Sequence, residues 1–293
     1  MFSANDIKTL RETTGAGMLD CKKALEESKG NMDEAIDWLR EKGISKMAKK
    51  ESRIAAEGLS DILIDGNTAV IIEVNSETDF VAKNEEFKNF IELVGKTVLN
   101  GDATDVEGAM ALNTDKGTLM EILTALVAKI GEKISFRRFE KVTKSDNEVF
   151  GRYLHMGGKI SVLTILEGTN EDVAKDVSMH IAAMSPSYIK RDEVPEEVLE
   201  KEKDIIKEQA INEGKPADIA EKMVAGRINK YYKEVCLLEQ EFVKDPDMTI
   251  QTYLDKNSMS VKRVVRYGVG EGIEKRNDDF ASEVMSQISG INN

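Results

Sequence analysis

The side chains that most often carry chemistry are few in this chain and poorly spaced for it. His155 and His180 are the only histidines, and Cys21 and Cys236 the only cysteines. Neither cysteine has a second Cys or a His at metal-ligand spacing, and no H-E-x-x-H or C-x-x-C occurs, so zinc and dithiol chemistry lack their ligands. There is no G-x-x-x-x-G-K-[ST] loop, and Gly151, Gly157 and Gly158 do not form G-x-G-x-x-G, so no cofactor is expected. Carboxylates are abundant, but they fall mostly on charged helical faces where solvation accounts for them. His180, in SMHIAAM, reads as a structural histidine on a helix. His155, in the turn LHMGGK, fits a surface contact as well as a structural role.

One stretch stands apart. Residues 76–84 read SETDFVAKN, with Asp79 beside Phe80 where a strand gives way to a helix. Two readings are open. Phe80 precedes Phe87 by seven and could staple the helix start to its own core, with Ser76 and Asp79 at capping-box spacing. Alternatively, the ring is held out for something else.

The elements that must position this stretch follow from the periodicity. Residues 1–43 carry three short helical patterns: one around Ile7 and Leu10, ending at TGAG (14–17), then MLDCKKALEESKG, then NMDEAIDWLREKG. The last opens on Asn31 as N-cap and is expected to end at Gly43. A basic run from Lys42 to Arg53 reads as a solvated linker. EGLSDILIDGNTAVIIEVNSETD then shows two β-rich runs around Asp65-Gly66-Asn67, a hairpin signal. Phe87, Phe90, Ile91, Val94 and Val98 lie on one helical face, and a further helix is expected over 117–131.

At a constant offset of 92 the pattern returns in 150–184, with two β-rich runs and then a helix. Gly66 matches Gly158, Val70 matches Val162, and Val81-Ala82-Lys83 matches Val173-Ala174-Lys175. Two related ββα units are therefore expected as the core. In the second, Asp172 stands where Phe80 stands in the first, so the junction does not require an aromatic. From Pro195 to Val235 two charged amphipathic helices are broken at Gly214-Lys215-Pro216. A strand over 261–270 and a terminal helix over 278–288 complete the expectation.

At 293 residues the chain is long enough for two or three compact units. Its formal net charge of −13 disfavours extended contact with phosphate backbones, so nucleic acid is not an expected partner. The longest nearly apolar strings, such as TAVIIEV, fall far short of the roughly 20 residues that span a bilayer, and the N-terminus lacks the apolar run of a secretory leader. A cytoplasmic location is expected.

Six separated stretches resemble one known family, bacterial translation elongation factor Ts: TGAGMLDCKKAL at 14–25, EVNSETDFVAKN at 73–84, LVAKIGEKI at 126–134, MHIAAMSP at 179–186, GKPADIAEKMVAGR at 214–227 and VGEGIEK at 269–275. The resemblance implies an α+β multidomain fold: a ubiquitin-associated-like helical domain with its basic linker (1–53), a first core subdomain (54–142) and a second (143–293). The second would carry an inserted coiled-coil hairpin at about 187–236 and a C-terminal module at about 271–293. The implied activity is guanine nucleotide exchange on elongation factor Tu during translation elongation, with release of Mg²⁺ and GDP from that partner, GTP loading and no covalent chemistry. The residues implied are Thr78, Asp79, Phe80 and Val81 for displacing the partner's Mg²⁺, with further contacts at Arg11, Met18, Lys22, Ile130, Gly131 and His155. The hairpin serves dimerisation in some members, so a homodimer is a further implication. Around His155 the chain departs from the family pattern, with Lys159 and Ser161 where Arg and Gly are expected. A ubiquitin-associated-like adaptor that binds exposed helices, with the α/β core as scaffold, is the reading from a different class. An enzyme with an unrecognised site ranks behind it.

Overall fold

The structure, a computed structural model, describes residues 2–14 and 16–274. The expected terminal helix at 278–288, and all of the expected C-terminal module beyond Glu274, lie outside the described residues.

Three helices open the chain: α1 (Ala4–Thr14), α2 (Met18–Glu27) and α3 (Met32–Ala48). Their apolar faces enclose Leu10, Cys21, Ala24, Leu25 and Ala35, all buried, with Trp38 and Leu39 packed around them. Asn31 caps α3 as expected, accepting from the amides of Asp33 and Glu34. The expected end of this helix at Gly43 is wrong: α3 continues to Ala48, and the first part of the basic run is helical. Lys42 and Lys46 pair with Asp20 instead of facing solvent alone. Gly43 serves a different purpose, since a Cβ there would lie a tight 3.1 Å from Cγ2 of Thr124. It permits close approach of two helices and does not break one.

The first hairpin is β1 (Glu57–Asp65) and β2 (Thr68–Ser76), followed by the five-residue α4 (Asp79–Lys83) and by α5 (Glu85–Asn100). The face read from the sequence, Phe87 to Val98, is the one α5 buries. After α6 (Val106–Met110) and the short pair β3 (Asn113–Thr114) and β4 (Gly117–Thr118) comes α7 (Leu119–Ile130). A full capping box between Thr118 and Glu121 starts α7, and Gly131 in the left-handed region ends it. Strand β5 (Ile134–Thr143) then adds to the hairpin, giving the order β1-β2-β5.

The second copy comprises β6 (Glu148–His155), β7 (Ile160–Glu167) and α8 (Glu171–Met184). The helices α9 (Glu196–Asn212) and α10 (Ala217–Val235) form the expected hairpin, turning at Gly214. The strands β8 (Glu241–Phe242) and β9 (Asp245–Thr249) and the helix α11 (Ile250–Lys256) follow. The last strand, β10 (Ser260–Gly268), joins β7 antiparallel, so the second sheet is β10-β7-β6. In both sheets the hairpin's second strand is central and a later strand flanks it. The mixture of helices and small antiparallel sheets is an α+β fold.

The chain divides into two compact units. One takes in described residues 2–59, 72–139 and 269–274, the other 60–71 and 140–268. In the first, the fully buried Glu73 accepts from Arg138 Nε at 2.6 Å, Gly270 N at 2.8 Å, Arg137 Nη1 at 3.0 Å and Asn75 Nδ2 at 3.1 Å. The carboxylate thus joins β2, β5 and the 270 turn. In the second unit β7 is buried on both faces: Val162 and Leu166 pack under α8, while Leu163 and Ile165 pack with Ile62, Ile71 and Phe150. No helix among the described residues is long and apolar enough to cross a membrane.

Candidate functional site

The SETDFVAKN junction resolves into four differently held residues. Thr78 is the N-cap of α4: its hydroxyl accepts from Val81 N at 3.4 Å, its carbonyl accepts from Ser76 Oγ at 3.0 Å, and its amide donates to Glu132. Val81 is buried. Asp79 is half-buried and pairs with Lys83 one turn later at 2.7 Å. Phe80 is 78% exposed, with Lys83 Nζ 5.7 Å from its ring centre.

This decides the two readings of Phe80. The ring does not staple to Phe87, which is fully buried while Phe80 stands in solvent. The Ser76–Asp79 capping box does not form either. The helix starts at Asp79, which makes Thr78 the cap and leaves Ser76 two residues too early.

Two more of the expected contact residues adjoin this junction. Ile130 ends α7 and Gly131 follows it at φ +86°, with open space where a side chain would be. The next residue, Glu132, accepts from Thr78 N at 3.0 Å and Thr78 Oγ1 at 2.7 Å. Glu77 returns the arrangement, accepting from Lys133 N at 2.5 Å and from Arg53 Nη1 at 3.2 Å.

Arg11 and Met18 line an open concavity of about 600 Å³ together with Ala128 and Lys129, the residues just before Ile130. Met18 is 57% exposed at the start of α2, and Lys22, one turn on, pairs with Glu26 at the surface. The packing of α3 against α7 at Gly43 brings these helices to that place, with Arg40 of α3 paired to Glu121 of α7. Thr78–Val81, Ile130–Gly131, Arg11, Met18 and Lys22 therefore belong to one unit.

His155 belongs to the other unit. It ends β6, with Nδ1 3.3 Å from the Tyr153 hydroxyl and the two rings stacked. The turn after it is fixed by Ser60, whose amide and hydroxyl both donate to Gly158 O. Met156, next to His155, is 74% exposed at φ +48°.

His180 is structural, as read. It is fully buried, with Nε2 3.0 Å from Gln240 Oε1 and Nδ1 accepting from Val243 N. Both cysteines are buried free thiols, and burial pushes Cys236 up to about 11, away from reactivity at neutral pH. Among the described residues no group of His, Cys, Asp and Glu could hold a metal ion. What the junction offers is an apolar ring and a carboxylate on a firmly seated turn.

Sequence reading missed the residues that seat this turn: Glu77, Glu132, Arg53 and Lys83. Lys83 carried a signal, because an acid four residues before a lysine on a helix predicts their pairing. Glu132 carried a weaker one, a carboxylate directly after a helix-ending glycine. The partners of Glu77 are local in space but more than twenty residues away in sequence, and no pattern announces them.

A family model described as Elongation factor TS matches residues 77–271, more than half of the chain. The match opens within the SETDFVAKN junction and includes Gly131, Glu132 and His155.

Proposed function

The chain belongs to the elongation factor Ts family, whose members are nucleotide exchange factors for elongation factor Tu in translation elongation, and from that premise we propose that Asp79 and Phe80 act directly on the GDP-bound partner. Phe80 enters between elements of the partner beside its Mg²⁺ and phosphate region. Asp79 competes for the groups that support the metal. A bound Mg²⁺ is among the largest local charges at a nucleotide site, so loosening it weakens GDP binding. Factor and nucleotide then each lower the other's affinity for the partner. Because such coupling is reciprocal, GTP loading expels the factor. No covalent bond is made or broken.

The observation that carries this reading is the contrast within four residues. Phe80 is 78% exposed between Thr78, held through its amide, carbonyl and hydroxyl, and the buried Val81. An isolated large apolar side chain presented on a fixed turn matches the anchor residues that dominate protein interfaces. Arg11, Met18, Lys22, Ile130, Gly131 and His155 are the further partner contacts in this reading. The helical domain supplies the first three, and the two core subdomains supply the others. The α9–α10 hairpin is the surface for a homodimer, and the exchange takes place in the cytoplasm.

The test is release of fluorescent GDP from elongation factor Tu by the Phe80→Ala and Asp79→Ala chains, with urea unfolding measured in parallel. Phe80→Ala is expected to slow release by at least about tenfold and to change stability by less than about 0.5 kcal/mol, as for an exposed residue. Release at the parental rate by both folded variants would sink the insertion model.

A further inference from the structure

We propose that Glu132 and Glu77 form a reciprocal clamp that positions Asp79 and Phe80 for exchange, an inference that rests on the functional reading above. Residues 77–78 and 132–133 trade carboxylates for amides. Glu132 accepts the Thr78 amide at 3.0 Å and the Thr78 hydroxyl at 2.7 Å, and Glu77 accepts the Lys133 amide at 2.5 Å. Arg53 closes the outer side on Glu77 at 3.2 Å, and Lys133 reaches the Glu51 carbonyl. The chain leaving α3, the junction before α4 and the turn after α7 are thereby joined by hydrogen bonds to charged groups.

The helix that carries Phe80 cannot hold itself. α4 has five residues, about one turn, and a helix of that length does not persist alone. Its side-chain cap, 3.4 Å from Thr78 Oγ1 to Val81 N, is a long hydrogen bond. Rigidity must come from outside the helix, and the carboxylate–amide pairs are the strongest polar contacts on Thr78. Gly131 makes the geometry available: its left-handed backbone ends α7 and turns the chain so that position 132 meets Thr78. The clamp also fixes Ile130 and Gly131 relative to Phe80, so the partner meets one prearranged surface. A preformed surface loses less conformational freedom on binding than a loose one.

Glu132 and Glu77 are positioning residues. They touch the turn that carries Asp79 and Phe80. The experiment uses the full chain and GDP-bound elongation factor Tu, with fluorescent GDP release followed over a range of factor concentrations and thermal melts run alongside. Glu132→Ala is expected to lower the maximal release rate about tenfold, the scale of a lost charge-assisted pair. The half-maximal concentration should rise by less than the rate falls, since the Arg11 and Met18 surface is untouched while the Ile130–Gly131 surface loses its fixed relation to Phe80. Glu132→Gln should recover most of the rate, because its amide oxygen still accepts the Thr78 N–H. In a Phe80→Ala background, Glu132→Ala should cost less than it does in the parental chain, because only Asp79 is then left to position, whereas a general loss of structure would multiply the two defects in full.

A parental rate for folded Glu132→Ala, or full multiplication with Phe80→Ala, overturns the clamp while leaving the exchange function standing. If Glu132→Ala does not fold, Glu132→Gln and Arg53→Gln decide. Arg53→Gln is expected to slow release about twofold to threefold, as loss of one half-exposed pair, and an Arg53→Gln chain at the parental rate, or a folded Glu132→Gln chain as slow as Phe80→Ala, overturns the clamp. A parental chain that does not speed GDP release at all overturns the functional reading itself, and the clamp as an exchange device falls with it.

Discussion

The two ββα copies share strand order, caps and helix start, yet only one presents an aromatic ring to solvent. Thr78 and Asn170, 92 positions apart, are both N-caps, and the next residue begins a helix in each. Val81-Ala82 and Val173-Ala174 are buried alike. The copies part five residues later. At Asn84 the first helix stops in extended backbone, ψ 134°, and a new helix is capped, whereas at the matching Asp176 the second helix runs on. In the second copy the helix also lies close on its sheet: a Cβ on Gly151 would meet the Ala174 carbonyl and the Thr164 hydroxyl at 2.3 Å. The first copy has Leu59 at that position. One copy is a continuous, tightly seated helix. The other has been cut so that a single turn stands free at its end, and a turn cut free needs holding.

The sharpest contrast in the sheets is at Glu73, whose counterpart in the second copy is Ile165. Ile165 sits in an apolar cluster, whereas Glu73 gathers two guanidiniums and an amide. Glu73→Ile, which copies the second unit, should cost about 3 kcal/mol because it removes a buried carboxylate from the half-buried Arg137 and Arg138 and from the Gly270 amide, as urea unfolding will measure. Ile165→Glu is the reverse exchange in the apolar cluster. Burial alone would raise the Glu73 carboxyl, but the Gly270 amide, Arg138 and Arg137 outweigh it and hold it below the usual carboxylate value. Its contribution is therefore complete above about pH 4.5 and is lost as pH falls further. The Glu73→Ile chain should lack that part of the acid limb.

Asn84 carries a smaller effect. Its side chain accepts from Glu86 N at 2.8 Å, while Asp176 is engaged by Lys244 and the Tyr253 hydroxyl. Asn84→Ala should cost about 1 kcal/mol, the usual loss for an N-cap, read by thermal melts. Loss near zero would mean that α5 does not depend on a separate start, and the cut between α4 and α5 would need another cause.

Much of this is legible in the sequence alone. The α5 face, the hairpin turn at Asp65-Gly66-Asn67, the 92-residue repeat and the α9–α10 break all rest on local periodicity or turn chemistry, which a sequence displays directly. The exposure of Phe80 was only half legible, because its spacing to Phe87 suits a staple as well. What decided it, the seating of Thr78 by Glu132, is a contact across 54 positions. Gly43 misled for a related reason: a glycine needed for close helix packing looks like one that ends a helix. Strand β5 escaped notice because its alternation is masked by Arg137 and Arg138, whose charge is answered by Glu73.

The least effect is expected at His180, whose counterpart is Lys88. Lys88 is exposed and pairs with Glu85, whereas His180 is buried against Phe242. Val243 N–H donates to Nδ1, so the proton resides on Nε2 and faces Gln240 Oε1, and Gln240 in turn donates to the Glu234 carbonyl at the end of α10. Burial pushes the His180 pKa below its ordinary 6.5, and the Gln240 hydrogen bond offsets this only in part. The unfolded chain therefore takes up its proton first as pH falls. Stability should be level in this respect above about pH 6.5 and should decline below it until the folded imidazole also protonates. A protonated Nδ1 would oppose the Val243 donor, so the decline should be accompanied by loosening where α10 meets β8. Urea unfolding at pH 7.5 and 5.5, compared between the parental chain and His180→Gln, measures it. An equal pH slope in both would assign the acid sensitivity to the carboxylates and remove this distinction between the copies.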